Sequence, residues 1–430
     1  MNHHGANMTG GAGRTRPRRL LLCLDGVPYE VIREAKGRGL FDAFGAPSHL
    51  LSPFPTLTNV ALAAMFKASA PAGYESLYFD RRARELRGGV SKYIGRRTPD
   101  KVASSYMDEL DYQEPLPFEF LIYVAPEEVW RADLNRFRER FRAAQPDRDF
   151  FAFLKSTDGL LHICGRRRLE AALASLDRLL RDIHASCGAE TEIVLFSDHG
   201  MNLQENRRAH MQTHLRRCGY VMTDRLGGSE RHNIAVPAFG LCGYAALYCA
   251  DEEVAHSVAD ALVPLEGLDF AIHRDGHQAI MVKGARGAAR IRRQENGHGA
   301  LYSYEQITGD PLLLAPVVRN LDEQGAFGQE GYASDKVWLA QTASHVYPDA
   351  LANLYESLHT PRVRHTADVL LSFQDGYYFG SSLFSRFVRI AATHGNALRA
   401  SSNAFLMSTH RTFPAHVRAT EAQPLLRDEG

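Results

Sequence analysis

Three short apolar runs, each followed by an aspartate, constrain this chain more than any other feature. Residues 20–24 lead to Asp25, residues 150–154 to Asp158, and residues 193–196 to Ser197-Asp198-His199-Gly200. A continuous apolar run of this length reads as a strand buried on both faces, which is the pattern of a parallel sheet. Between and after the runs, residues 126–144, 166–186 and 204–218 carry apolar positions three and four apart and predict helices. Strands alternating with helices predict an α/β fold, a mostly parallel central sheet flanked by helices on both faces.

The texture changes over 240–347, where short segments, turns and glycines (Gly284, Gly287, Gly297, Gly299) predict an inserted smaller α+β cap. The strand and helix rhythm resumes at 349–358 and 369–373 and ends in a core strand at 404–407. The core is therefore expected over 19–239 and 348–430, with 1–18 a disordered basic tail. Arg14, Arg16, Arg18 and Arg19 ahead of the first apolar run imitate a signal peptide, but five apolar residues before Asp25 are too few for its hydrophobic segment. No stretch reaches the roughly 20 apolar residues of a membrane span. Fifty basic and fifty acidic side chains cancel, so no global field recruits nucleic acid or an anionic membrane, and an anionic substrate must be attracted locally. Six scattered cysteines without a CxxC pair fit a reduced, cytoplasmic setting.

In an open parallel sheet, ligands bind beyond the carboxyl ends of the strands, where Asp25, Asp158 and Asp198 fall. An aspartate there also caps a following helix, so each alone is ambiguous. Two of the three carry a histidine, His162 four residues after Asp158 and His199 next to Asp198. Carboxylate oxygen with imidazole nitrogen is a ligand set for zinc and related divalent ions. His394, in Thr393-His394-Gly395, precedes the last core strand and is a further ligand candidate. A nucleophile is offered by Pro53-Phe54-Pro55-Thr56-Leu57-Thr58, which opens an alanine-rich helix. Thr56 or Thr58 serves as its N-cap, and the same helix end presents N–H groups to a phosphate.

In this order the motifs resemble the alkaline phosphatase superfamily, in particular its type I phosphodiesterase and nucleotide pyrophosphatase branch, over 19–410. The resemblance implies one divalent ion held by Asp158, His162 and His394 and another by Asp25, Asp198 and His199, zinc or alternatively manganese. It implies Thr58 as nucleophile, with Thr56 the second choice, and hydrolysis of phosphate esters, diesters first, through a phosphothreonine. The nucleotide pyrophosphatases have Phe-Pro-Asn-His after the nucleophile, where this chain has Asn59-Val60-Ala61-Leu62, and their phosphate-anchoring asparagine falls near Phe79. The second phosphate contact is thus open among the Thr58 backbone N–H, Asn59 and Tyr78. A phosphomonoesterase or phosphonate hydrolase of the same superfamily is the alternative, and a catalytically inactive binding module is the alternative of another class. The partner expected is a small-molecule phosphate ester, and neither substrate identity nor oligomeric state follows from the motifs.

Overall fold

The computed structural model describes residues 18–89, 102–115, 117–122, 124–188, 190–227, 231–382, 385 and 389–427; the tail expected over 1–18 lies outside them apart from Arg18. The three apolar runs form adjacent strands, with Arg19–Leu24 paired in parallel to Phe150–Leu154 on one side and to Glu192–Ser197 on the other. Tyr112–Gln113 extends the sheet beyond Phe150–Leu154, and Asn403–Ser408, Ser48–Leu51 and His416–Arg418 extend it past Glu192–Ser197. Of these seven strands only Asn403–Ser408 runs against the rest.

Strand alternation sends successive side chains into different layers. Leu20, Leu22 and Leu24 join Phe137, Leu173 and Leu176 from the helices Pro126–Ala143 and Arg166–Cys187. Leu21 and Cys23 join Leu62 and Met65 of the helix Thr58–Met65, with Leu426 of Ala422–Arg427. Both faces are covered, as the apolar runs require.

A second seven-stranded sheet, wholly antiparallel, builds the smaller lobe in the order Tyr244–Leu247, Val369–Phe373, Leu268–Arg274, Ala279–Gly284, Gly287–Asn296, Gly299–Gly309 and Ala333–Ser334. Here the expected boundary at 348 needs correction. Val369–Phe373 sits between two cap strands, and the helix Ala350–His359 packs its Leu351, Leu354 and Leu358 with Phe270 and Ile272 of that sheet. An apolar run records that a strand is buried, not which sheet buries it. The helix expected over 204–218 is also shorter: it spans Met211–Arg217, because Arg207–Arg208 pairs with Tyr377–Tyr378. Among the described residues no helix is long and apolar enough to cross a membrane.

Candidate metal and nucleophile site

Because the three central strands share a direction, their ends bring Asp25, Asp158 and Asp198 to one edge. Backbone bonds fix each end: Thr157 Oγ1 donates to Asp25 O (2.7 Å), Ser197 Oγ to Val27 O (2.7 Å), and Gly26 N–H to Asp198 Oδ1 (3.1 Å). Gly200 is required by close approach, since a Cβ there would lie 2.3 Å from Ala400 O and 2.7 Å from Asn403 O. The His394 loop is tied to the same edge by Asn202, whose N–H donates to Thr393 O (2.8 Å) and whose Oδ1 accepts from Thr393 N (2.9 Å).

The six ligand candidates converge. Asp25, Asp198 and His199 form one group and Asp158, His199 and His394 another, each with ligand atoms within 4.8 Å of one another. The first group coincides with the trio that the family resemblance implies. In the second, His199 stands where His162 was expected. His162 remains adjacent, its Nε2 3.3 Å from Asp158 Oδ1, while the stacked rings of His199 and His394, 4.0 Å apart, bring His199 to both groups.

All three imidazoles place Nδ1 on a backbone carbonyl: His162 on Ala392 O (2.7 Å), His199 on Gly200 O (2.9 Å) and His394 on Thr56 O (2.8 Å). A carbonyl only accepts, so Nδ1 carries the proton and a neutral ring turns the Nε2 lone pair toward the carboxylates. Burial drives His199 down to about 4 and His394 to about 3, which favours that neutral form. For His162, burial pulls the value down, but the Asp158 carboxylate and the Ala392 carbonyl together raise it.

Burial pushes Asp25 well above the usual carboxylate range, and Asp198 and Asp158 push the same way. Asp198 is raised by burial to about 6. Burial opposes the ionised form of Asp158 as well, but His162 and His394 hold that group below its ordinary value. Among the described residues, Asp25 Oδ2 and Asp198 Oδ2 are buried without a hydrogen-bond partner. Three crowded carboxylates, orphaned oxygens and pre-aimed Nε2 lone pairs fit divalent cations, which would satisfy all three features at once.

Thr58 opens its helix at the first turn, and the N-cap is Leu57, so neither threonine caps it. Thr58 Oγ1 lies 3.3 Å from Asp25 Oδ1 and 3.3 Å from His199 Nε2. Thr56 is fully buried, its Oγ1 donating to Asn396 O (3.0 Å) and accepting from Gly395 N (2.9 Å), which makes it a tie for the His394 loop. A cavity of about 170 Å³ opens onto Thr58, Asp158, His162 and His394. Asn59 lines it, held by the Tyr106 hydroxyl (2.8 Å). Tyr78 does not line it: it borders the neighbouring cavity and stacks on His365.

The sequence reading missed Lys155 and Glu75 on this cavity. Lys155 follows the strand Phe150–Leu154 directly, a signal that was present, and its charge favours the ionised form of Asp25. Glu75 accepts from Gly240 N (2.8 Å) and Tyr244 Oη (3.1 Å), pinning the cap residues at the rim, and burial pushes it up to about 7. Nothing in its local sequence announced that role.

Fold and site together define a member of the alkaline phosphatase superfamily. A family model described as type I phosphodiesterase / nucleotide pyrophosphatase matches residues 63–310, more than half of the chain, and the chain belongs to that family of phosphoryl hydrolases. The matched segment holds Asp158, His162, Asp198 and His199, while the fold supplies Asp25, Thr58 and His394 from outside it. No curated protein matches the chain by sequence. Among solved structures, phosphonoacetate hydrolase from Sinorhizobium meliloti 1021, in complex with phosphonoformate, is similar over 96% of this chain and 95% of its own, with 12% identity and a TM-score of 0.51. Murine ectonucleotide pyrophosphatase / phosphodiesterase 5 is similar over 96% and 94%, with 11% identity and a TM-score of 0.47.

Proposed function

We propose that the chain hydrolyses small phosphodiesters by in-line attack of Thr58. The observation that carries this reading is the place of the hydroxyl: Oγ1 stands 3.3 Å from both Asp25 and His199, at a helix N-terminus and on the wall of the cavity. In this reading Asp25, Asp198 and His199 hold one divalent ion, zinc or manganese, and Asp158, His162 and His394 the other. Such ions, when bound, lower the pKa of a hydroxyl and offset charge on phosphoryl oxygens.

The chain's own residues do the rest. Thr58 Oγ1 loses its proton to solvent and forms the new bond to phosphorus while the ester bond opposite breaks and the alcohol leaves, taking up a proton. Water then attacks the phosphothreonine, restoring the threonine hydroxyl and releasing the phosphomonoester. The first-turn N–H groups and Lys155 favour the anionic phosphoryl group there, and Asn59 is the nearest candidate for its second contact. The six free cysteines support a reducing, cytoplasmic setting. A phosphomonoesterase or phosphonate hydrolase is the second reading, favoured by the small cavity of about 170 Å³.

The test is turnover of bis(p-nitrophenyl) phosphate, p-nitrophenyl phosphate and p-nitrophenyl sulfate, with the diester expected fastest and the sulfate inert. Thr58→Ala should lower kcat on the order of 10³-fold or more. Equal or faster turnover of the monoester would sink the diesterase preference. Undiminished hydrolysis in Thr58→Ala would remove the nucleophile, and no hydrolysis together with fewer than one bound metal would leave a binding module.

A further inference from the structure

Farther along the helix Thr58–Met65, a cavity of about 500 Å³ separates Val60, Ala63 and Ala64 from the second lobe, and Arg362 lies in its wall. Nη1 of Arg362 donates to Phe54 O (2.6 Å) and Asn353 Oδ1 (3.0 Å). Its Nε and Nη2 donate to no described residue, and no described carboxylate lies within 4.0 Å of the guanidinium. The nearest acids are committed elsewhere. Asp349 shares Arg418 with Asp335, while Glu356 accepts from Tyr302 Oη and pairs with Arg293. Lys67, also on the wall, makes no ion pair with any described residue.

The Nε–Nη2 edge of a guanidinium is the fork that meets an oxyanion with two parallel hydrogen bonds. A largely buried cation with no described carboxylate in contact is costly, so a fork without a partner on a cavity wall is a place for an anion from solution. Arg362 and Lys67 both line this cavity, and two cations suit a doubly charged head better than a single carboxylate. We infer that this cavity is a second ligand site, which takes the phosphate group of a small organic phosphate on the Arg362 fork, with the charge of Lys67 on the same cavity.

The site would be linked to the first one by backbone. Asn353 accepts from Phe54 N (2.7 Å) and donates to Ser52 O (3.1 Å), so the two side chains on the cavity also hold the segment that leads into Thr58. The inference does not depend on which ester the enzyme cleaves.

Calorimetric titration of the metal-loaded full chain with inorganic phosphate tests it, with succinate as the carboxylate control. Two phosphate sites are expected. Arg362→Gln and Ala300→Leu, the latter adding volume at another residue of the lining, should each weaken the same one at least tenfold, and Ala300→Leu should spare the other. If Arg362→Gln fails to fold, Ala300→Leu decides alone. A single site untouched by either variant, two sites unchanged by both, or normal binding in Ala300→Leu would overturn the assignment. Succinate binding as tightly as phosphate would overturn the choice of ligand.

Discussion

In the core sheet, Arg19–Leu24, Phe150–Leu154 and Glu192–Ser197 lie side by side and point the same way, so the residues that follow them meet at one edge. In the second sheet every neighbouring pair is antiparallel, so successive strands end on opposite edges. Both sheets bury their central strands on two faces. Burial is therefore not what separates them: strand direction gathers the candidate ligands in one lobe, and the other supplies walls, a rim at Gly240 and the side chains that grip residues 52–54.

Removal of divalent ions should break that division of labour most visibly. Chelation is expected to abolish hydrolysis and to lower the thermal midpoint, because Asp25, Asp158 and Asp198 would then share a buried site with orphaned oxygens. Asp25→Asn sharpens the point: it should be inactive with metal present, yet melt higher than chelated wild type, since an isosteric amide removes one uncompensated buried charge. A chelated variant that melts lower than chelated wild type would mean the carboxylates are not in electrostatic conflict.

A cavity in the second sheet gives the contrast. Leu371, fully buried in the strand Val369–Phe373, packs with Val258 and Leu262 of the helix Glu252–Leu262. Leu371→Ala should cost about 2–5 kcal/mol of stability. At temperatures where the protein stays folded, kcat should hold within about twofold, because no catalytic candidate rests on that face. A metal content that falls with Leu371→Ala would show the two lobes to be less separable than their topology suggests.

These differences also explain what the sequence made legible. That Asp25, Asp158, Asp198 and the histidines beside them meet at one edge was legible because parallel strands convert a local pattern, apolar run then polar cluster, into a shared place in space. The helix start at Thr58 was legible because prolines and alanines mark it within a few residues. Val369–Phe373 was assigned to the wrong sheet because its partners, Tyr244–Leu247 and Leu268–Arg274, lie more than ninety residues before it and the run itself is equally apolar in either. Tyr78 borders the neighbouring cavity, a placement that an offset counted along the chain does not display. Arg362 and Asn353 gave no signal at all: their importance lies in what they hold, the carbonyls and N–H of residues 52–54, and sequence does not display tertiary partners.

The smallest expected effect is a pH response confined to the second lobe. His273 is 1% exposed on the strand Leu268–Arg274, with Nδ1 on Arg274 O (2.8 Å), Nε2 without a partner among the described residues, and the His256 ring 4.1 Å away. Burial drives it down to about 4, with His256 and Lys283 acting in the same direction and the Arg274 carbonyl and Asp260 against it. The folded value lies below the ordinary 6.5, so the unfolded chain binds the proton more readily between the two. The stability linked to neutral His273 is therefore complete above about pH 6.5 and is lost as pH falls toward 4. Denaturant titrations at pH 7, 6 and 5 should show wild type losing stability faster than His273→Gln, by no more than one bound proton's slope, so that the gap between them narrows with acid. Parallel slopes would place the acid sensitivity elsewhere, with His49, also pushed by burial to about 4 but on the core sheet, as the next residue to replace. That outcome would shift acid sensitivity from the antiparallel lobe to the parallel one and reverse the assignment drawn here between them.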